Sequence, residues 1–117
     1  MEAAIQAPTR RPPLRAGELE VRPREFLALA NGERLDLTVR ELELLTALVE
    51  RRDRIVTREE LYREVWGEPY RRSDRSVDVY VAKLRVKLAR AVPGRRFIHT
   101  HFGFGYRFTP DPGGSAR

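Results

Sequence analysis

The chain has no cysteine, one methionine, one tryptophan and two histidines. It has no apolar run near the roughly 20 residues that a membrane-spanning helix needs. Without cysteine there are no disulfides, thiolate zinc sites or cysteine nucleophiles. His99 and His101 stand two apart, on one face of a regular strand. Two ligands are too few for a stable metal site when no cysteine or carboxylate lies in the same hairpin, so neither metal nor cofactor is expected. Gly103-Phe-Gly105 is a turn device and no phosphate cradle, because no helix opens after it. The N-terminus lacks the apolar core of a signal peptide, which leads to the expectation of a cytoplasmic protein away from membranes. Glu41, Glu43, Glu59, Glu60 and Glu64 fall on helix surfaces, where caps, dipoles and solvation account for them. An enzyme is therefore not expected.

What the chain does have is positive charge, concentrated in one stretch. Residues 71–96 hold nine basic side chains against two acidic ones, a net +7 in a chain whose total is +6. A charge excess that serves solubility is diffuse, whereas a basic field confined to one segment is the footprint of a surface for a polyanion. At 117 residues, with 41% hydrophobic and 34% charged residues, the chain is one globular domain with a single core.

Within the basic stretch, Ser73 to Ala91 has helical periodicity. At 100° per residue Val77, Tyr80, Val81, Leu84, Leu88 and Ala91 form one apolar stripe. The opposite face mixes Arg75, Val79, Ala82, Val86 and Arg90, with Lys83 and Arg85 on its flanks. Cations with short apolar groups between them suit entry into the major groove, where bulk would block the base edges. The pattern is also that of an amphipathic bundle helix with a solvated face. The local charge excess favours the DNA recognition helix. Arginine can donate in pairs to guanine, lysine acts as a point charge, and Val79 can meet a thymine methyl. Tyr80, on the border of the two faces, is open to a core-edge or a phosphate-bonding role. Asp78 would be repelled by DNA, and is expected to pair with a nearby cation such as Arg75.

Residues 1–17 carry three prolines among three arginines and read as a flexible arm or linker; Arg10, Arg11 and Arg15 are open to phosphate contact or to solvent. From Glu18 short alternating runs, broken by Pro23 and by Asn31-Gly32, predict an antiparallel sheet of three or so strands. Thr38-Val-Arg-Glu41 is a capping box that opens a helix over about 39–51, and Thr57-Arg-Glu-Glu60 has the same form at the start of a short helix ending at Gly67. Trp66 at that end is expected to fill the core. Pro69 makes residues 67–72 an exposed connector, and Pro93-Gly94 stops the third helix. Phe97 to Phe108 reads as a glycine-tipped hairpin, and residues 109–117 as a disordered tail. The result is an α+β chain with the order β-β-β-α-α-α-β-β, a winged helix-turn-helix over residues 18–108.

Four blocks then resemble the OmpR/PhoB-type effector domain of response regulators: Leu37 to Leu45, Val56 to Leu61 with Val65-Trp-Gly67, Arg75 to Leu88, and Ile98-His-Thr through Gly103-Phe-Gly-Tyr106. The resemblance covers Leu19 to Phe108. It implies an N-terminal four-stranded sheet, three helices and a C-terminal hairpin wing, in a two-component transcription regulator that binds direct-repeat DNA as a head-to-tail pair and touches RNA polymerase. It implies DNA contacts from Arg75, Val79, Tyr80, Lys83 and Arg85, a phosphate contact from Thr100, and a backbone contact from Tyr106. The loop over Gly67, Glu68, Pro69 and Tyr70 is similar to the one that engages polymerase. Two positions depart from the family: Phe102 stands where an arginine is frequent, and Ala82 where a basic residue is. The wing's charge is then left to His101 or Arg107. Nothing in the sequence resembles the phosphorylatable receiver domain that usually precedes this module, so the chain reads as an isolated effector piece or a stand-alone regulator. A basic winged helix that binds an acidic protein or structured RNA is the rival reading.

Overall fold

The computed structural model describes residues 12–112. Arg10 and Arg11 lie outside them, as does the tail beyond residue 112. The elements are β1 (Leu14–Ala16), β2 (Leu19–Arg22), a 3-10 turn (Pro23–Glu25), β3 (Leu27–Ala30), β4 (Glu33–Arg34), α1 (Val39–Glu50), β5 (Ile55–Val56), α2 (Arg58–Trp66), α3 (Ser76–Ala91), β6 (Arg95–His101) and β7 (Gly105–Pro112).

The first four strands form one antiparallel sheet in sequential order. Leu19 and Val21 of β2 and Ala28 and Ala30 of β3 are buried on one face of it, the period of two that a half-covered sheet imposes. Asn31 and Gly32 both take positive φ, 51° and 84°, which is the type I′ geometry that joins tightly paired strands. One expectation fails here. Residues 14–16, assigned to the arm, are a strand paired with β2, and Arg15 there lies 3.6 Å from Glu20.

Helix α1 opens as its sequence predicts. Thr38 Oγ1 accepts from the Glu41 N–H at 3.2 Å, and Glu41 Oε1 accepts from the Thr38 N–H at 2.9 Å. The same Glu41 oxygen accepts from Lys87 Nζ of α3 at 2.7 Å, with the glutamate side chain 3% exposed. Burial pushes the Glu41 carboxyl up, but Lys87 and the Thr38 N–H outweigh it and hold the group below the usual carboxylate range. The depressed value makes the ion pair a stabilising contribution that is complete above about pH 4.3 and is lost as pH falls through the native value. Glu41→Gln keeps the cap and deletes the charge, so it should cost about 1–2 kcal/mol at pH 7 and less in acid, read by urea unfolding at both pH values.

The second capping box is only half formed. Thr57 Oγ1 accepts from the Glu60 N–H at 3.0 Å, but the Glu60 carboxylate is drawn to Arg51 and Arg54 at 3.0 and 2.7 Å. Two guanidiniums outcompete one backbone N–H. The hairpin is also longer than expected. Its strands run from Arg95 and to Pro112, so residues 109–112, assigned to the tail, continue β7, which also pairs with the two-residue β5 to give the sheet order β5-β7-β6. Leu44, Leu45 and Leu48 of α1, Leu61 of α2, Val77, Val81 and Leu84 of α3, and Phe108 of β7 meet in the core.

Candidate nucleic-acid interface

Helix α3 begins three residues later than its periodicity suggests. Arg75 is its N-cap and makes no side-chain cap; Asp74 Oδ1 instead accepts from the Ser76 N–H at 2.7 Å. Val77, Val81, Leu84 and Leu88 are buried, and Tyr80 and Ala91 pack at the edge of the core, as the stripe predicts. The other face is open. Arg75, Ala82, Lys83 and Arg90 are exposed, with Val79 and Val86 at 46% and 50%. Among the described residues Arg75 makes no ion pair. Tyr80 sits half-buried with its ring edge-on to Trp66 at 5.6 Å, and Lys83 Nζ lies 4.8 Å from its centroid. Trp66 in turn stacks on Tyr62 at 5.1 Å, the core-filling role expected of it.

The hairpin is fastened to α3 at two points. Arg85 donates from Nε and Nη2 to the Ile98 carbonyl at 3.2 and 3.0 Å, and from Nη2 to Thr100 Oγ1 at 2.7 Å. Thr100 is half-buried and here acts as acceptor, which leaves its own hydroxyl hydrogen to donate outward. Directly across the ladder from Thr100, Tyr106 is 4% exposed and donates its hydroxyl to Asp78. Tyr106, expected to contact the DNA backbone, is thus placed with its polar end inside the protein. Burial and then the Asp78 carboxylate push its phenol up.

Asp78 does not pair with Arg75. It accepts from Arg58 Nε of α2 at 2.7 Å as well as from Tyr106. Burial raises the Asp78 carboxyl, but those two bonds pull harder, so it lies below its ordinary value. The Arg58 and Arg85 guanidiniums both lie within 6 Å of the Tyr106 ring, at 5.2 and 5.6 Å. One carboxylate therefore joins the start of α2, the first turn of α3 and the second wing strand. Arg58 is not legible in the sequence because its partner is 20 residues away, and no local spacing marks such a pair.

The loop ahead of α3 starts at Gly67, φ 74°, which caps α2. Glu68 and Pro69 are exposed, and Tyr70 turns in to meet Tyr62 edge-on at 5.6 Å. His99 Nε2 lies 3.4 Å from the Thr109 carbonyl, and His101 Nε2 accepts from Arg107 Nε at 3.1 Å. Among the described residues no three His, Asp or Glu side chains cluster to hold a metal ion, and no helix is long and apolar enough to cross a membrane. The arrangement is an outward cationic helix face beside a clamped, basic hairpin.

Residues 32–108 match the family described as Transcriptional regulatory protein, C terminal. The chain is 39% identical over 84 residues to the uncharacterized transcriptional regulatory protein YclJ of Bacillus subtilis, spanning 71% of this chain and 36% of that one. It is 39% identical over 90 residues to the transcriptional regulatory protein PrrA of Mycobacterium tuberculosis, spanning 77% of this chain and 38% of that one. The chain thus spans well under half the length of these curated relatives. Among solved structures, the DNA-binding domain of CpxR from E. coli aligns with a TM-score of 0.77 at 31% identity, over 85% of this chain and 97% of that one. The Klebsiella pneumoniae RstA DNA-binding domain, solved in complex with the RstA box, aligns with a TM-score of 0.77 at 29% identity, over 86% and 100%. The family model, the relatives and the structural match agree: the chain belongs to the OmpR/PhoB-type family of winged-helix effector domains, the C-terminal domains of response-regulator transcription factors.

Proposed function

We propose that this protein binds double-stranded DNA sequence-specifically and regulates transcription, with α3 in the major groove and the β6–β7 hairpin on the flanking backbone or minor groove. The observation that carries the reading is the placement of the +7 segment: its apolar stripe is buried, and Arg75, Val79 and Lys83 face outward together. Arg75, exposed at the helix start and without an ion pair among the described residues, is suited to a guanine edge, Val79 to a thymine methyl, and Lys83 to a phosphate. Tyr80 can offer its hydroxyl to a phosphate from the core edge. Arg85 holds Thr100, whose hydroxyl donates to a phosphate, and Tyr106 serves by orienting Asp78. The exposed Glu68 and Pro69, between Gly67 and Tyr70, suit contact with RNA polymerase. Pairing of two copies head-to-tail on a direct repeat, in the cytoplasm, completes the proposal.

Affinity selection from random duplexes, followed by salt titration on the selected site, tests it. Binding should fall log-linearly with salt and keep a ranking among sequences at fixed salt. A protein that binds acidic partners and shows no ranking among duplexes would refute it. Arg75→Ala should cost on the order of 1–3 kcal/mol on the selected site and relax preference at one base pair. Lys83→Ala should weaken all sequences alike and reduce the salt slope by about 1.

A further inference from the structure

The β6–β7 hairpin ends in His101-Phe-Gly-Phe-Gly105. The Phe104 N–H donates to the His101 carbonyl at 2.9 Å and Gly103 takes φ 82°. Positive φ at the third position alone is the signature of a type II turn with Phe102 at its corner. Both rings lie outside the core and mostly in solvent: Phe102 is 86% exposed and Phe104 68%. The fold does not require them, because the hairpin's inward side chains are Phe97, Ile98, Tyr106 and Phe108, and small polar residues serve a turn better. Two large aromatics at the tip of a projecting hairpin lose their contact with water only when a partner covers them.

The surroundings say which partner. Around the tip, residues 97–110 carry Arg107, His99 and His101 and no carboxylate, and they lie beside the basic stretch of α3 that holds Arg75, Lys83 and Arg85. That field attracts a polyanion. The tip also has a fixed position. The rung Thr100–Tyr106, immediately before the closing pair His101–Gly105, is bonded to α3 from both sides, through Arg85 and through Asp78. The hairpin tip that carries the rings is therefore held next to the recognition helix.

We propose that Phe102 and Phe104 form an apolar wedge that enters the minor groove next to α3 and stacks into a base step, so that the protein reads the deformability of its site there. The inference rests on the DNA-binding reading above. Aromatic wedges partly unstack a step and bend the duplex, and pyrimidine–purine steps yield most easily. An apolar contact releases no counterions, which separates it from a lost phosphate contact.

The test uses the full chain and the duplex obtained by selection, with dyes at its two ends for energy transfer. A duplex series varies only the steps that flank the major-groove contacts. The wild type should bend the duplex and prefer a TA or CA step over AA at one flanking position. Phe102→Ala with Phe104→Ala should lose roughly tenfold or more in affinity, the bend and that preference, with the salt slope and Tm unchanged. Phe102→Trp should keep affinity, with tryptophan emission quenched on binding beyond the Trp66 background. Unchanged affinity, bend and step preference in the double alanine variant would overturn the wedge, as would a lowered salt slope, while the Arg75→Ala result would leave the DNA-binding reading standing. A wild type that binds no duplex removes both. Self-association or vesicle binding by the wild type that the double variant loses, with duplex binding intact, also overturns the wedge.

Discussion

Gly105→Ala is expected to destabilise the protein by about 2–6 kcal/mol, enough to consume a large part of the 5–15 kcal/mol that holds an ordinary domain folded. Gly105 takes φ 152°, a region that side-chain-bearing residues rarely enter. A Cβ there would lie 2.0 Å from the Val56 carbonyl oxygen and 2.9 Å from Thr57 Cα. Both are backbone atoms, so no rotamer change relieves the overlap. Strand β5 would have to retreat from β7, breaking the Ile55–Arg107 and Val56–Tyr106 pairs. Val56 is fully buried and Thr57 caps α2, so the displacement reaches the core and the start of α2 together. Gly103→Ala is the control. Its φ is 82°, but nothing lies within 4 Å of its added Cβ, and only the backbone strain of about 1 kcal/mol remains. Thermal unfolding of the two variants measures the difference, and a Gly105→Ala protein that melts with the wild type would contradict the approach of β5 to the hairpin tip.

What the sequence reveals of this fold, and what it hides, divides by the range of the interactions. The spacing of Val77, Val81, Leu84 and Leu88 is a property of one helix, and so are the Thr38–Glu41 cap and the Asn31-Gly32 turn; each is legible because its partners are within a few residues. Strands β1 and β5, of three and two residues, exist because β2 and β7 lie beside them, and runs so short carry no alternation to detect. The same division runs through the interface. Helical phase alone puts Val79 and Lys83 outward, which is where they are. It cannot show that the hairpin returns to take Arg85 into a clamp with Thr100, or that Tyr106 turns inward to Asp78. Likewise Asp78 has a cation three residues before it, yet its ion-pair partner is Arg58, because the packing of α2 on α3 delivers a guanidinium to within 2.7 Å of the carboxylate, while Arg75 acts on it only through its charge.

Asp78→Ala should separate stability from specificity in one variant. The substitution leaves the buried Tyr106 hydroxyl without its acceptor and releases Arg58, whose side chain is 30% exposed and can turn to water. The unsatisfied phenol and the broken ion pair together cost about 2–4 kcal/mol. Adding Tyr106→Phe removes the orphaned hydroxyl, so the double variant should be more stable than the sum of the singles, the non-additivity expected of groups in one network. Because the Asp78 carboxyl is held below its ordinary value, its contribution is complete above about pH 4 and is lost as pH falls through the native value; the gap between variant and wild type should close in acid. On DNA two effects oppose each other. Removing a negative charge from the first turn of α3 strengthens attraction to phosphates on every sequence. Loosening the joint between α3 and β7 spoils the simultaneous fit of helix and hairpin, which only the preferred site rewards. Geometry dominates on that site and charge elsewhere, so affinity for the selected duplex should drop about tenfold while binding to unrelated duplexes holds or tightens. Parallel losses on both would mean that the carboxylate merely stabilises the fold, whereas a collapse of the ratio between them would make Asp78 the residue that sets the wing at its working angle to the helix.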